Sequence, residues 1–357
     1  MKYAFALPLL AAAVLLLAGC GKNREAVSAD FSRLPVYELE GKAVSVDSVY
    51  MRYPYRIRVE GDVAVVFDLH ASGRCCHAFT YPEFGYLSSF GPVGEGPEEI
   101  LSGSDVRFLG PNRVGILDSN GRKIAVYGGI GRGMTPVLER MVRMEEAVLL
   151  PLDFVPLPGG GFLMPDYSGE SRFCIVDSCG RLCERRAEIP VADKELLAAS
   201  APAVAQAWRS FLSLTPDGER LVAATQLGDV LDCYALPALD GEQTHCIGPD
   251  GEPAFSVSAE GYGIPEGCMG YWDVQVTDSH IYALYDGTRF DDLMKQNPSE
   301  ARQGARRLRV FTLSGEPECS YEFDRPLAGF FVDEARGLIW AADVNAGTPL
   351  FAFSWKR

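Results

Sequence analysis

From residue 35 onward the chain is built of short runs of β-branched and aromatic residues, broken every few positions by Gly, Asp, Asn or Pro. Helical spacing of apolar residues is rare, so the pattern predicts an all-β protein. One strand recurs: Val63–Asp68, Arg113–Asp118, Gly161–Asp166, Arg220–Thr225, His280–Asp286 and Gly337–Asp343. Five of these six runs end in Asp, and successive copies lie 48 to 61 residues apart. A period near this length with room for four strands per unit predicts a β-propeller of six four-stranded antiparallel blades. An Asp at that point can accept the backbone N–H two residues on and close the turn. Asp118-Ser-Asn-Gly-Arg122, Asp177-Ser-Cys-Gly-Arg181, Thr215-Pro-Asp-Gly-Glu219 and Leu313-Ser-Gly-Glu316 supply turn chemistry between apolar runs.

Blades are expected near 53–91, 104–145, 147–190, 203–248, 269–324 and 326–357. The last shows three strands, and 36–40 or 43–50 is the expected source of a fourth that joins the chain ends. A sandwich of two sheets is the competing architecture. Residues 192–207 have helical character and read as an insertion. A loop sequence also repeats, because Phe90-Gly-Pro-Val-Gly-Glu-Gly-Pro97 is echoed by Ile247-Gly-Pro-Asp-Gly-Glu-Pro253.

The first residues depart from this pattern. Lys2 is followed by an uncharged run ending Leu17-Ala-Gly-Cys20, which reads as an export signal. It resembles the lipobox of bacterial lipoproteins, which implies cleavage before Cys20 and lipidation of its thiol. The expected organisation is a signal peptide over 1–19, a lipidated tether over 20–34 and one propeller over 35–357. The expected location is the cell envelope, at the outer membrane, with the periplasmic or surface face undecided. The formal charge of -15 becomes -16 when Lys2 leaves with the signal. Such a balance disfavours nucleic acid, whose binding needs Lys and Arg to neutralise phosphates. It also means that membrane contact comes from acyl chains and not from a basic patch.

Nine cysteines remain after Cys20, an odd number in a compartment that permits disulfides. Cys174, Cys179 and Cys183 have poor zinc spacing, and Cys75 and Cys76 are adjacent. One or two disulfides, Cys174 with Cys183 among them, and inert buried thiols are both open.

The chain resembles the TolB-like six-bladed β-propellers common among lipoproteins of the Bacteroidota. The resemblance rests on Gly91-Pro-Val-Gly-Glu-Gly-Pro-Glu-Glu-Ile100, on Tyr271-Trp-Asp-Val leading to Ile281–Gly287, and on Arg309–Gly315 with the final strands. It covers roughly residues 40 to 357. It implies an exported lipoprotein with six blades and no established enzymatic activity, and it supplies no catalytic residues.

Candidate chemistry is correspondingly sparse. There is no G-x-S-x-G elbow and no H-E-x-x-H, and His70, His77, His245 and His280 are scattered. No catalytic residue, cofactor or metal ligand is expected. The Gly91–Ile100 loop carries Glu95, Glu98 and Glu99 without Lys, which disfavours phosphate and fits a tight connection between blades. The innermost strands offer Asp105, Asp153, Trp208, Arg209, Trp272, Asp273 and Asp333 to the central tunnel. Tyr81, Tyr86, Tyr262, Tyr271 and Trp272 fall near loop ends and could stack on a ligand or fill gaps between blades. The loop from Tyr262 to Tyr271, with Glu266, is the leading functional loop. The binding residues expected are therefore Tyr262, Glu266, Tyr271, Trp272, Asp273, Glu95 and Glu98. The expected function is a lipid-anchored scaffold for a protein, peptide or other envelope ligand; the alternative is a lactonase- or lyase-like enzyme with a tunnel metal.

Overall fold

The computed structural model describes residues 24–46, 49–191, 193–239, 243–297 and 303–355. The signal peptide and Cys20 lie outside them. Three short strands come first: β1 (Arg24–Ser28), β2 (Val36–Leu39) and β3 (Lys42–Val44). Blade 1 is β4 (Pro54–Glu60), β5 (Val63–Asp68), β6 (Arg74–Thr80) and β7 (Tyr86–Pro92), and blade 2 is β8 (Gly103–Phe108), β9 (Val114–Asp118), β10 (Lys123–Gly128) and β11 (Val137–Arg143). Blade 3 is β12 (Val155–Pro156), β13 (Phe162–Pro165), β14 (Phe173–Val176) and β15 (Leu182–Arg186). Helix α1 (Lys194–Ala207) leads into blade 4, which is β16 (Ser210–Leu214), β17 (Arg220–Thr225), β18 (Val230–Ala235) and β19 (Gln243–Ile247). A separate hairpin, β20 (Ala254–Val257) and β21 (Gly263–Glu266), precedes blade 5. Blade 5 is β22 (Tyr271–Val276), β23 (His280–Tyr285), β24 (Ala305–Thr312) and β25 (Pro317–Leu327), with the short helix α2 (Phe290–Leu293) between β23 and β24. Blade 6 is β26 (Gly329–Asp333), β27 (Leu338–Ala342) and β28 (Leu350–Ser354), completed by β3.

The recurring run in the sequence is the second strand of each blade. β5 and β9 are buried along their whole length, and β10 beside β9 is too. Each blade is covered by its neighbours on both faces, so these strands are continuously apolar rather than alternating. Between blades 1 and 2, for example, Val65, Phe67 and Phe90 pack on Val106, Ile116 and Tyr127. The outer strand β11 alternates and is largely exposed.

The terminal Asp does two different jobs. Asp166, Asp286 and Asp343 accept the amides of Ser168, Thr288 and Asn345 at 3.0, 3.0 and 2.9 Å, as expected of a turn closed two residues on. Asp68 and Asp118 reach back to the segment entering their own blade, and Asp118 also accepts Gly121 N in the following turn at 2.8 Å. Asp68 accepts Arg52 N and Tyr53 N at 2.8 and 2.7 Å, and Asp118 accepts Leu101 N and Ser102 N at 2.8 and 3.0 Å.

Closure uses residues 42–44, which pair antiparallel with β28 as Val44 with Leu350 and Lys42 with Ala352. Residues 36–39 do not join blade 6; β2 runs parallel to β25 on the outer edge of blade 5. The expectation of a tether through residue 34 is corrected as well, because β1 adds a fifth, parallel strand to blade 4 beside β19. An outermost strand leaves a row of unpaired N–H and C=O groups, and the N-terminal segment satisfies two such rows before it closes the ring.

Turns joining first to second and third to fourth strands lie on one face, here the lower. Turns joining second to third strands, and the connections between blades, lie on the upper face. Helix α1, the β20–β21 hairpin and α2 all belong to the upper face. Asp193 caps α1 by accepting Glu195 N and Leu196 N at 3.0 and 2.9 Å, and the helix breaks at Ser200 (φ -147°) ahead of Pro202. The break follows from proline, which disfavours the helical conformation in the residues before it. Val204, Ala207 and Trp208 then pack with Leu227 and Val230, and Phe255 and Phe290 join from the hairpin and α2.

Candidate functional site

Alternate residues of an innermost strand share a face, and on β4 and β8 the alternate positions are charged: Arg56 and Arg58, then Asp105 and Arg107. Asp153, just before β12 in the next blade, and Asp273, on β22 farther round the ring, face them. Arg58 holds Asp273 with both terminal nitrogens, Nη1 to Oδ2 at 3.0 Å and Nη2 to Oδ1 at 3.1 Å. Arg107 donates Nε to Asp105 at 2.7 Å and Nη2 to Asp153 at 2.7 and 3.0 Å, and it also reaches the Leu212 carbonyl at 2.8 Å. Arg56, 1% exposed, lies 3.8 Å from Asp105 and 3.6 Å from Asp273, between the rings of Tyr55 and Phe211 at 3.7 and 4.6 Å. Three guanidiniums thus meet three carboxylates on the axis of the propeller.

Removal from water penalises every one of these charges, and pairing offsets that cost. Burial raises Asp105, but Arg107, Arg58 and Arg56 outweigh it and hold its carboxyl at about 2. Burial also raises Asp153; Arg107 opposes this, yet Asp105 beside it adds to the rise, and its carboxyl is pushed up to about 7. Asp153 is further fixed by Phe154 N and Leu212 N, each at 2.7 Å.

Below this network the channel opens on the lower face as a cavity of about 440 Å³, lined among others by Arg58, Glu60, Arg107, Ser213, Gln275 and Phe331. Gln275 clasps the β26 backbone, donating to the Val332 carbonyl at 3.2 Å and accepting Val332 N at 2.7 Å. Gly329 lets β26 approach β4, since a Cβ there would stand 2.3 Å from the Tyr55 carbonyl oxygen.

The structure brings Asp105, Asp153 and Asp273 together, as the strand positions suggested, and adds the arginines. Arg56, Arg58 and Arg107 were the residues missed. Their signal was the period-2 repetition of charge in Arg56-Ile-Arg58 and Asp105-Val-Arg107, unusual in inner strands that expose no residue fully. The other tunnel candidates make no hydrogen bond or ion pair to this network among the described residues. Asp333 sits at the lower end of β26, accepting Tyr81 Oη and, from Arg336, both the backbone N–H at 3.0 Å and Nη1 at 2.8 Å. Trp208 is buried under α1, Arg209 immediately precedes β16, and Trp272 donates Nε1 to Asp286 at 3.1 Å from a bulge in β22. Tyr271 is 1% exposed and serves the interior: its hydroxyl donates to Asp229 at 3.1 Å and accepts from Arg309 at 3.2 Å. It and Tyr81 are gap-filling aromatics, not ligand platforms.

Tyr262 and Glu266 are exposed on the upper-face hairpin. Glu95 and Glu98 are exposed on the upper-face connection of blades 1 and 2, across the ring from that hairpin. That connection is held by the bridge of Val93 with Ile100 and by Glu99, which accepts Gly96 N at 2.9 Å. Gly91 has φ +72°, and a Cβ there would meet Ile116 and Cys75 at 2.7 and 2.8 Å, so this position is closed to other residues. Cys174 and Cys183 are free thiols. The strand register puts Cys174 opposite Arg185, which rules out the bridge to Cys183. Among the described residues no group of three or more His, Cys, Asp or Glu side chains is placed to hold a metal ion.

The family model for TolB-like 6-blade propeller-like proteins matches residues 31–335. The chain belongs to that family. Among curated proteins none matches its sequence. Among solved structures, a Bacteroides fragilis protein described as exported is 11% identical, with TM-score 0.57, over 93% of this chain and 100% of that one. A DUF4221 family member from Bacteroides vulgatus is 10% identical, with TM-score 0.56, over 90% and 97%. The calcium-binding protein regucalcin from Agrobacterium tumefaciens is 13% identical, with TM-score 0.50, over 89% and 94%. At such identities the likeness is one of fold. This TolB-like propeller differs from a bare ring of acids in that each axial carboxylate has an arginine partner. Among the described residues no helix is long and apolar enough to cross a membrane.

Proposed function

We propose that this TolB-like propeller is a lipid-anchored binding scaffold of the cell envelope, held at the outer membrane through Cys20, and that its ligand is a protein or peptide. The observation carrying this reading is the pairing of Asp105, Asp153 and Asp273 with Arg56, Arg58 and Arg107. A tunnel metal needs carboxylates free to coordinate it; here Asp153 and Asp273 are engaged by guanidiniums and backbone amides, and Asp105 gives one oxygen to Arg107 while the other faces Arg58 and Arg56 at 3.5 and 3.8 Å. The apolar side chains exposed on the upper face suit a protein partner better than a small substrate: Tyr50, Leu149, Leu150, Tyr262, Ile264 and Met294.

Metal analysis and crosslinking test the reading together. The purified protein is expected to carry substoichiometric calcium and zinc, and a photocrosslinker placed at Tyr262 is expected to trap a discrete envelope protein that one at exposed Arg113 does not. Stoichiometric metal that disappears in Asp273→Asn would overturn the scaffold in favour of the lactonase- or lyase-like enzyme.

A further inference from the structure

The direction of β1 carries information about how the propeller meets the membrane. β1 is parallel to β19, with Arg24 opposite Gln243 and Ser28 opposite Ile247. Gln243 opens β19 after the lower-face turn, and Ile247 leads into the upper-face connection. The chain therefore enters the fold at the lower edge of blade 4 and climbs toward the upper face. Four residue steps separate Cys20 from Arg24, a reach of at most about 14 Å when fully extended. A lipid on Cys20 holds that lower edge close to the bilayer.

The cavity at the channel mouth, with Arg58 and Arg107 in its wall, opens on this same lower face. The lower rim also exposes apolar side chains away from the anchor. Tyr86 on blade 1 is 40% exposed, Met134 and Val137 on blade 2 are 50% and 59%, and Val36 and Tyr37 at the start of β2 on blade 5 are 55% and 47%. Blade 1 lies across the ring from blade 4, so these contacts oppose an edge-on posture in which only blade 4 would touch lipid. With a formal charge of -16 after removal of the signal, acyl chains and apolar rim residues are the available attachments.

We propose that the lower face rests toward the lipid surface, so that the channel mouth opens on the membrane side, while the upper face with α1, the β20–β21 hairpin and α2 is turned away from it. This rests on lipidation of Cys20. It also deepens the scaffold reading, because the surface assigned to the partner is the one displayed away from the bilayer.

The test uses full-length lipidated protein in phosphatidylethanolamine/phosphatidylglycerol vesicles containing a nitroxide-headgroup lipid. Cys179→Ser and Cys183→Ser remove the exposed thiols, and a single fluorophore is attached through Val137→Cys on the lower rim or Tyr262→Cys on the upper hairpin. Tyr86→Cys is a second lower-rim probe. The lower-rim probes are expected to lose most of their fluorescence and the Tyr262 position to keep it. Vesicle-bound protein with equal quenching at the two faces, or stronger quenching at Tyr262, would overturn the orientation while leaving the anchor intact. Wild type that carries no lipid on Cys20 and does not float with vesicles would overturn the anchor, and the orientation with it.

Discussion

Arg107 and Asp153 are joined by a two-oxygen contact, 2.7 and 3.0 Å, between adjacent blades at the axis of the propeller, from β8 to the entry of β12. The same guanidinium holds Asp105 on its own strand, so one side chain links blades 2 and 3 at their inner edge. Removing one partner of such a buried pair leaves an uncompensated charge, a loss of about 3–5 kcal/mol. Arg107→Ala is expected to lower stability by that order in urea unfolding. Arg107→Met with Asp153→Leu should lose less than the two single substitutions together, and strict additivity in the cycle would refute coupling.

The two acids give opposite pH signatures. Asp153 is raised to about 7 against an unfolded value of about 3.9. Between those limits the native state holds a proton that the unfolded chain has lost, so this contribution to stability is present at low pH and fades as pH rises through 7. Asp105, held at about 2, contributes stability above pH 4 that is lost as pH falls toward 2. Thermal melts should show a decline from pH 5 to 8 that Asp153→Asn flattens and that Asp105→Asn, which removes the acid beside Asp153, reduces without abolishing, because burial of Asp153 remains.

At Gly329 the inner strands of blades 6 and 1 come too close to admit a Cβ. Gly329→Ala puts a methyl group against the Tyr55 carbonyl, and overpacking of this kind costs about 1–3 kcal/mol. The urea midpoint should fall accordingly, while Gly61→Ala, with open space around it but φ +60°, is expected to cost about 1 kcal/mol from backbone strain alone.

The N-terminal strands separate closure from edge protection. Deleting residues 24–28 removes the parallel partner of β19 and the packing of Val27 on the blade 4 and 5 core but leaves the ring closed, so a folded, self-associating protein is expected in size-exclusion chromatography. Deleting residues 42–44 opens blade 6 and is expected to abolish the cooperative melt. A monomeric first variant would show that the edge needs no cover.

Thiol reactivity checks the cysteine assignment. Cys179 and Cys183 are exposed, whereas burial pushes Cys174 and Cys233 up to about 12 and Cys268 to about 11. Two fast-reacting thiols are expected in the native protein, both absent from Cys179→Ser/Cys183→Ser, and reductant should leave the melting temperature unchanged.

The repeat was legible along the chain because each second strand is buried on both faces, and that requirement writes a continuous apolar run with a turn-forming Asp after it. The six blades, their approximate limits and the inserted helix follow from this local physics, and so does the conclusion that glycine is needed at Gly91. Residues 24–28 read as a polar tether because nothing in them is distinctive; their strand conformation comes from the open edge of β19, a partner more than two hundred residues away.

The axial network has the same character. Arg56, Asp105, Asp153 and Asp273 come from four blades, and no spacing rule connects them, since each distance along the chain depends on the loops of the intervening blades. Composition and periodicity determined that this protein is a six-bladed propeller with an acidic surface. Ring closure decided which charges meet on its axis, because burial penalises an unpaired charge wherever the fold places it: Asp153 and Asp273 meet guanidiniums delivered by other blades, while Asp105 has Arg107 from its own strand.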